Sequence, residues 1–137
     1  MFIDIKNRAN DPEIIKLLAA CIFENCEKRA AKDADEYKQR SKWKLFGWSE
    51  NKKILAVCGC EVRPDKAIIR HIATGESTRG QGIGRKMIAA LRQRYNLPIE
   101  AETDDDAVDF YRKCGFEAAL VPKQKYSIRR WTCVLPV

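Results

Sequence analysis

The sequence has 137 residues, of which 45% are hydrophobic and 33% are charged, and its formal net charge is +7. This composition is typical of a globular domain and excludes a disordered chain. No apolar run approaches the ~18 residues of a membrane-spanning helix, and Met1–Lys6 lacks the basic and apolar segments of a signal peptide. We therefore expect one domain over residues 1–137, located in the cytoplasm.

The six cysteines are interpreted as reduced residues, because most lie among apolar neighbours and a cytoplasmic protein rarely forms disulfides. Cys58 and Cys60 share one face of a predicted strand, which favours a place in the core. A zinc site would need more ligands, since no C-x2-C pair occurs and His71 is the only histidine. No metal is expected.

The positive charge favours polyanionic ligands, which include nucleic acids and small ligands with several phosphates. An RNA-binding sheet would need exposed aromatic residues interleaved with basic ones. Residues 125–131 show a little of this pattern, but a closing strand explains it better. Nucleic acid is therefore not the expected partner.

The first half of the chain predicts a strand, two helices and then an antiparallel run of strands. Asp11 and Pro12 supply an N-cap and a first-turn proline, and the apolar residues that follow recur at helical spacing. The predicted elements are a strand over Phe2–Lys6, a helix from Pro12 to about Phe23, a helix over Ala31–Arg40, and strands over Lys44–Ser49, Ile54–Val62 and Ala67–Thr74.

The second half predicts alternating helices and strands. A break rich in glycine and polar residues, Gly75–Gly84, leads into a helix with an apolar face over Ile83–Tyr95. The triplet Asp104–Asp106 would place negative charge at the N-terminus of the next helix, and Gly115 suits a left-handed C-cap. The remaining predicted strands are Ile99–Glu102, Ala118–Val121 and Tyr126–Leu135.

The segment between the third antiparallel strand and the following helix carries the clearest signal for chemistry. Gly80, Gly82 and Gly84 allow backbone N–H groups to turn towards a ligand. Unpaired amides at the start of a helix, at the positive end of its dipole, form an anion site. Arg79 and Arg85 flank these amides and can neutralise phosphate charge.

Known phosphate loops do not fit this segment. A P-loop needs Gly-Lys followed by Ser or Thr, whereas Gly84 is followed by Arg85, Lys86 and Met87. The dinucleotide pattern G-x-G-x-x-G fails because Arg85 stands three residues after Gly82. A tight turn that only caps a helix is the alternative, and the glycines alone do not decide between the two.

A second motif follows the first. Downstream of the loop, the spacing Ala-x-x-Phe-Tyr-x-x-x-Gly-Phe is met by Ala107, Phe110, Tyr111, Gly115 and Phe116. Together with the R-G-x-G-x-G loop, this motif resembles the GNAT superfamily of acyl-CoA-dependent N-acetyltransferases, over about Ala67–Phe116. The paired motifs are strongly specific for that family.

The resemblance implies an α/β (α+β) fold with a mixed, mostly antiparallel central sheet flanked by helices. It also implies acetyl-CoA as cofactor, released as coenzyme A, with its pantetheine arm along a splayed strand and its pyrophosphate on the loop. The implied cofactor-binding residues are Ile72, Ala73, Thr74, Arg79, Gly80, Gln81, Gly82, Ile83, Gly84, Arg85 and Asp104.

The resemblance further assigns catalytic roles. A backbone amide near Ile72–Ala73 would stabilise the oxyanion. Tyr111 would be the general acid that protonates the departing thiolate, although its position on an apolar helical stripe also fits a core tyrosine.

The sequence departs from the family pattern at three places. Before the loop, Thr74-Gly75-Glu76 stands in place of the common Val-x-Pro. Asp104 stands where the family has asparagine, and it could contact pantetheine or serve only as an N-cap. The central strand offers no acidic base, so the general base is unassigned. His71, Glu76, Glu102 and a relayed water are the alternatives.

The expected activity is transfer of an acetyl group from acetyl-CoA to a primary amine of a small molecule or peptide, by direct attack. Phe23, Glu24, Trp43 and Phe46 are candidates for the acceptor side, although the two last fit the core as well. The alternative function is a catalytically inactive acyl-CoA-binding sensor or interaction module. A homodimer is left open.

Overall fold

The computed structural model describes residues 1–22, 26–122 and 129–137. Its regular elements, in chain order, are β1 (Phe2–Asp4), α1 (Pro12–Ala19), α2 (Glu27–Gln39), β2 (Trp43–Glu50), β3 (Lys53–Val62), β4 (Ala67–Thr74), α3 (Ile83–Tyr95), β5 (Ile99–Asp104), α4 (Val108–Lys113), β6 (Glu117–Leu120) and β7 (Arg130–Leu135). Short 3-10 turns at Lys6–Arg8 and Glu76–Thr78 precede α1 and α3.

The strands form one seven-stranded sheet in the order β1-β2-β3-β4-β5-β7-β6. Neighbouring strands are antiparallel, except that β4 and β5 run parallel. Parallel neighbours need a crossover connection, and α3 provides it. The predicted mixed, mostly antiparallel sheet with flanking helices is therefore confirmed.

Helices cover both faces of the sheet, because the side chains of a strand point alternately to its two faces. On one face α1 and α2 pack over the sheet, and the buried residues include Ile14, Leu18, Ala30, Ala34, Tyr37, Leu45 and Val57. On the other face lie α3 and α4, and the buried residues include Cys58, Cys60, Met87, Leu91, Val108 and Tyr111. The predicted core position of both strand cysteines is confirmed.

Several predicted boundaries differ from the structure. The first strand ends at Asp4, before the predicted Lys6, because the chain turns there into a 3-10 helix. The second helix begins at Glu27, earlier than the predicted Ala31, since its polar first turn gives no apolar periodicity although Glu27 suits the helix dipole. Phe23 and Glu24 lie outside the described residues, as do residues 123–128, so the predicted last strand is described from Arg130 onward.

The predicted helix start at Asp104 is wrong. Strand β5 continues through Asp104, and α4 begins at Val108 with Ala107 as its N-cap. The Asp104 carboxylate Oδ1 accepts the N–H groups of Asp106 and Ala107, both at 3.0 Å. It therefore stabilises the turn between β5 and α4 and not the first helical turn.

The end of α4 has the predicted left-handed glycine. Gly115 has φ +96°, the N–H of Gly115 donates to the carbonyl of Arg112, and the N–H of Phe116 donates to the carbonyl of Tyr111, both at 3.0 Å. This is the Schellman arrangement. It folds Phe116 back onto Tyr111, with the two ring centroids 5.2 Å apart.

The contact between β3 and α2 gives a test of the packing. A Cβ at Gly59 would lie 2.0 Å from the Tyr37 hydroxyl oxygen and 2.4 Å from its ring Cζ, and Tyr37 is fully buried. Because Tyr37 is buried and its hydroxyl is bonded to His71 Nδ1 at 2.6 Å, we expect Gly59→Ala to lower the free energy of unfolding by about 3 kcal/mol. Urea denaturation measures this change.

Gly75→Ala is the matched control. A Cβ there would meet no atom closer than 3.4 Å, and the backbone of Gly75 is extended. We expect its free energy of unfolding to change by less than about 0.5 kcal/mol. Equal losses in the two variants would contradict the close packing of β3 against Tyr37.

Candidate active site

A cleft opens where β4 and β5 separate. The two strands pair at Ala67 with Ile99 and at Ile68 with Glu100, and within the described residues no further pair joins them. Strand β5 pairs along its length with β7 instead. The cleft has a volume of about 820 Å³ and is bounded by the diverging strands, the loop before α3 and the side of α4.

The open edge of β4 turns alternate backbone groups towards this cleft. The N–H of Gly75 donates to the Leu55 carbonyl of β3 at 2.8 Å. Because an antiparallel ladder alternates in direction, the polar groups of Ala73 also face β3, whereas those of Ile72 and Thr74 face away from it. Ile72 and Thr74 therefore offer backbone donors and acceptors that β3 does not pair.

Cys21 also lines the cleft. Burial raises the pKa of its thiol to about 12, and the backbone N–H of Ile72 opposes this effect in part. The thiol therefore carries its proton at neutral pH and is not an activated nucleophile.

The loop between β4 and α3 presents backbone donors. Gly80 and Gly82 have φ values of +82° and +76°, and Gly82 is the N-cap of α3. Within the described part of the chain, the N–H groups of residues 79–85 have no hydrogen-bond acceptor. They lie at the positive end of a 13-residue helix, an arrangement that suits an anion.

The three glycines of the loop are needed for different physical reasons. A Cβ at Gly80 or Gly82 would meet no atom within 4 Å, so lack of space is not the reason for glycine there. The left-handed backbone at both positions is the reason, because glycine adopts it without strain. A Cβ at Gly84 would lie 3.0 Å from the Phe110 ring, so this glycine lets α3 pack closely against α4. The two motifs of the sequence are thus in direct contact.

The structure brings most of the predicted cofactor-binding residues together. The cleft is lined by Ile72, Ala73, Thr74, Arg79, Gly80, Gly82, Ile83, Gly84, Arg85 and Asp104. Gln81 is exposed and does not line the cleft. Lys113 and Arg130 add positive charge to the lining, and no motif in the sequence would have selected them.

Tyr111 lies in the same cleft. Its side chain is 5% exposed, and the rings of Phe110 and Phe116 pack edge-on against it, each with its centroid at 5.2 Å. Burial raises the pKa of the phenol well above its ordinary value. Among the described residues the hydroxyl has no hydrogen-bond partner, so it is free to donate to a group bound in the cleft.

His71 is held by two residues of α2. Its Nδ1 lies 2.6 Å from the Tyr37 hydroxyl and its Nε2 lies 3.2 Å from Asp33 Oδ2. With a neutral ring, the hydroxyl donates to Nδ1 while Nε2–H donates to the carboxylate. Burial lowers the pKa of His71, and both ring nitrogens are engaged. This geometry favours a structural histidine over a general base.

The other candidate bases lie apart from one another. Glu76 is exposed in the 3-10 turn and does not line the cleft. Glu102 lines it, but its carboxylate accepts a hydrogen bond from Arg130 Nε at 3.1 Å. Trp43 and Phe46, considered for the acceptor side, are not among the lining residues.

The profile of the acetyltransferase (GNAT) family matches residues 12–116. The chain therefore belongs to the GNAT family, and the predictions of the family and of an acyltransferase enzyme are confirmed. The match covers the loop, α3 and α4 together.

Individual relatives agree with this membership. A UPF0039 protein of Synechocystis sp. is 26% identical over 113 residues, which cover 77% of this chain and 73% of the relative. An uncharacterized N-acetyltransferase of Bacillus methanolicus is 31% identical over 88 residues, which cover 64% and 72%. The structure of an aminoglycoside 6′-N-acetyltransferase complexed with coenzyme A has the same fold, with a TM-score of 0.78 and 11% identity, covering 99% of this chain and 96% of that chain.

Two further observations concern the described residues alone. None of their helices has the length and apolar character to cross a bilayer. No group of three or more histidine, cysteine, aspartate or glutamate side chains among them is placed to hold a metal ion.

The pH dependence of stability tests the environment of His71. Burial lowers its pKa in the folded protein, whereas the pKa in the unfolded chain is about 6.5. Between these values the unfolded chain binds more protons, so the free energy of unfolding should fall as the pH is lowered through about 6.5. Because His71 is the only histidine, urea denaturation of His71→Gln should lack this slope. A wild-type stability that is constant below neutral pH would contradict the burial of a neutral imidazole.

Proposed function

We propose that this chain transfers the acetyl group of acetyl-CoA to a primary amine, by direct attack of the amine on the thioester. The observation that carries the proposal is the row of N–H groups at residues 79–85, which have no acceptor within the described chain and border the cleft. An anion with several oxygens fits such a row. The family membership supports the activity.

The residues present fit coenzyme A. The loop amides, with Arg79 and Arg85 beside them, would hold the pyrophosphate, and the Gly80 and Gly82 backbone leaves no side chain in its way. The backbone groups of Ile72 and Thr74 would hold the pantetheine arm, as a neighbouring strand would, whereas Ala73 and Ile83 would provide apolar contact. The aminoglycoside 6′-N-acetyltransferase of the same fold is complexed with coenzyme A, which supports this ligand.

Two of the predicted cofactor contacts, those of Asp104 and Gln81, have less support from the side-chain positions. Asp104 Oδ1 already accepts two turn amides, so a contact with pantetheine would use Oδ2. Gln81 would contribute through its backbone N–H, since its side chain is exposed.

When bound, acetyl-CoA would supply an activated acetyl group, and the chain's own groups would stabilise the charges that develop. The N–H of Ile72 is the donor for the negative charge on the carbonyl oxygen. A preorganised donor of this kind lowers the barrier by about 3–4 kcal/mol.

Tyr111 is the general acid of the proposal. Its raised pKa keeps the phenol protonated at neutral pH, and the hydroxyl can give its proton to the departing sulfur. The attacking amine loses a proton in the same reaction, so the overall proton count is unchanged. Because both nitrogens of His71 are engaged, we assign the removal of that proton to water in the cleft.

A second candidate function is an acyl-CoA-binding module without catalysis. Strand β4 carries no acidic side chain, and this favours the second candidate, whereas the position of Tyr111 favours catalysis. Release of free thiol from acetyl-CoA, measured with a library of amines, separates the two. Binding of acetyl-CoA without turnover would support the module.

Gly82→Asp tests the phosphate loop. The new carboxylate would lie among the amides that we assign to the pyrophosphate. Its negative charge would repel the negative charge of the pyrophosphate. We expect the Kd for acetyl-CoA to rise about a hundredfold, measured by isothermal titration calorimetry on folded protein.

Gly82→Asn is its matched control. Asparagine has nearly the same size as aspartate and tolerates a left-handed backbone, so it separates charge from shape. We expect its Kd to lie much closer to that of the wild type. An unchanged affinity in the aspartate variant would remove the loop from the site.

Tyr111→Phe tests the general acid. Phenylalanine keeps the packing against Phe110 and Phe116 but has no proton to donate. We expect kcat to fall about a hundredfold with the Kd for acetyl-CoA preserved.

Tyr95→Phe is the control for this change, since Tyr95 belongs to α3 and does not line the cleft. Its kcat should equal that of the wild type. A Tyr111→Phe variant with wild-type kcat would exclude the hydroxyl from the mechanism.

A further inference from the structure

Trp131 contacts both ends of the segment that carries Tyr111. It lies on β7, opposite Thr103 of β5, and it packs against the core on the face of the sheet where α3 and α4 lie. Its indole N–H donates to Asp105 Oδ1 at 2.7 Å, in the turn before α4. The guanidinium of Arg112, near the end of α4, lies 4.9 Å from the centroid of its ring. One side chain thus attaches this helix to the sheet at two points.

The Asp105 carboxylate is also held by Arg129, which precedes β7. Arg129 Nε lies 3.2 Å from each carboxylate oxygen, and the same guanidinium lies 5.7 Å from the centroid of the Trp131 ring. The hydrogen bond from the indole, and then that from Arg129, lower the pKa of Asp105. The carboxylate is therefore ionised at neutral pH, and an ionised acceptor strengthens the hydrogen bond from the indole.

Helix α4 depends on contacts of this kind. It has six residues, and its N-cap residue Ala107 makes no side-chain hydrogen bond to it. An isolated helix of this length is not stable in water, so the surrounding groups decide where it lies. Gly84 gives α3 a close approach to the Phe110 ring, and Trp131 attaches the helix and the preceding turn to β7.

The position of α4 decides the position of Tyr111. The residue directly precedes Arg112, and among the described residues its hydroxyl has no hydrogen bond that would fix it independently of the helix. A general acid must lie within hydrogen-bond distance of the group that it protonates. A misplacement of about 1 Å can cost about a hundredfold in rate.

We propose that Trp131 is a positioning residue for the reaction. Through Asp105 and Arg112 it holds α4 where the Tyr111 hydroxyl reaches the departing sulfur. The inference rests on the acetyltransferase function and on the role of Tyr111 proposed above. Trp131 is not among the residues that line the cleft, so it acts through the helix and not by contact with a substrate.

Trp131→Phe tests the inference. Phenylalanine keeps an aromatic ring beneath Arg112 but has no N–H to donate to Asp105. We expect kcat, measured by thiol release from acetyl-CoA with an amine that the wild type accepts, to fall about tenfold. The Kd for acetyl-CoA should be preserved, because the phosphate loop is unchanged.

The double variant Trp131→Phe/Tyr111→Phe separates positioning from a general loosening of the fold. If Trp131 acts through the Tyr111 hydroxyl, nothing is left for it to position once that hydroxyl is removed. The double variant should then have the same kcat as Tyr111→Phe alone. A substitution that only loosens the fold would lower kcat by the same factor in both backgrounds.

Asp105→Ala is a second variant, and it removes the acceptor of the indole N–H. Asp105 is exposed, and surface substitutions of this kind change stability little. Its kcat should fall about as much as that of Trp131→Phe, and the comparison in the Tyr111→Phe background applies equally if Trp131→Phe does not fold. Asp106→Ala is the matched control, since it makes the same change of charge at an exposed position of the same turn. It should keep the wild-type kcat.

Trp48→Phe is the matched control for the tryptophan. The Trp48 indole N–H also donates to a carboxylate, that of Glu50 at 3.2 Å, and Lys86 Nζ lies 5.9 Å from the centroid of its ring. Trp48 belongs to β2 and does not line the cleft. Its replacement should leave kcat unchanged.

The outcomes separate this inference from the proposed function. A wild-type kcat in both Trp131→Phe and Asp105→Ala, or an equal factor of loss with and without the Tyr111 hydroxyl, overturns the positioning role and leaves the acetyltransferase standing. A wild-type kcat in Tyr111→Phe overturns the general acid and this inference with it. Absence of turnover by the wild type with every amine overturns the proposed function and this inference together.

Discussion

The separation of β4 from β5 is the constraint on which the rest of the site depends. Neighbouring strands normally satisfy each other's backbone N–H and C=O groups, but here the pairing stops after Ile68 and Glu100. Strand β4 is held by β3 and strand β5 by β7. The sheet therefore keeps an open edge inside the fold, where an extended ligand with amide groups can bind as an added strand would.

Packing between α3 and α4 then fixes the loop relative to Tyr111. The close approach of Gly84 to the Phe110 ring ties the N-terminus of α3 to the helix that carries the tyrosine. The Schellman end of α4 places Phe116 against the other side of the phenol. The two helices thus hold the loop amides that we assign to the pyrophosphate at a fixed distance from the phenol that we propose as proton donor, as positioned catalysis requires.

The hydrogen bonds of His71 join α2 to the central sheet. Tyr37 and Asp33 bind its two ring nitrogens and so fasten α2 to β4. A buried histidine with no part in the proposed chemistry thereby joins a helix to a strand that borders the cleft.

Local sequence determined the glycine-rich loop, the start of α3, the end of α4 at Gly115 and most of the strands, because turn chemistry and hydrophobic periodicity act over a few residues. The resemblance carried by the two motifs supplied the sheet topology and the place of Tyr111. The first turn of α2 and the turn role of Asp104 are local features that hydrophobic periodicity did not reveal. Only the tertiary structure decided the partners of His71 and the packing of Gly59 against Tyr37. These two features depend on contacts between residues far apart in the chain, and packing rather than local propensity selects such contacts.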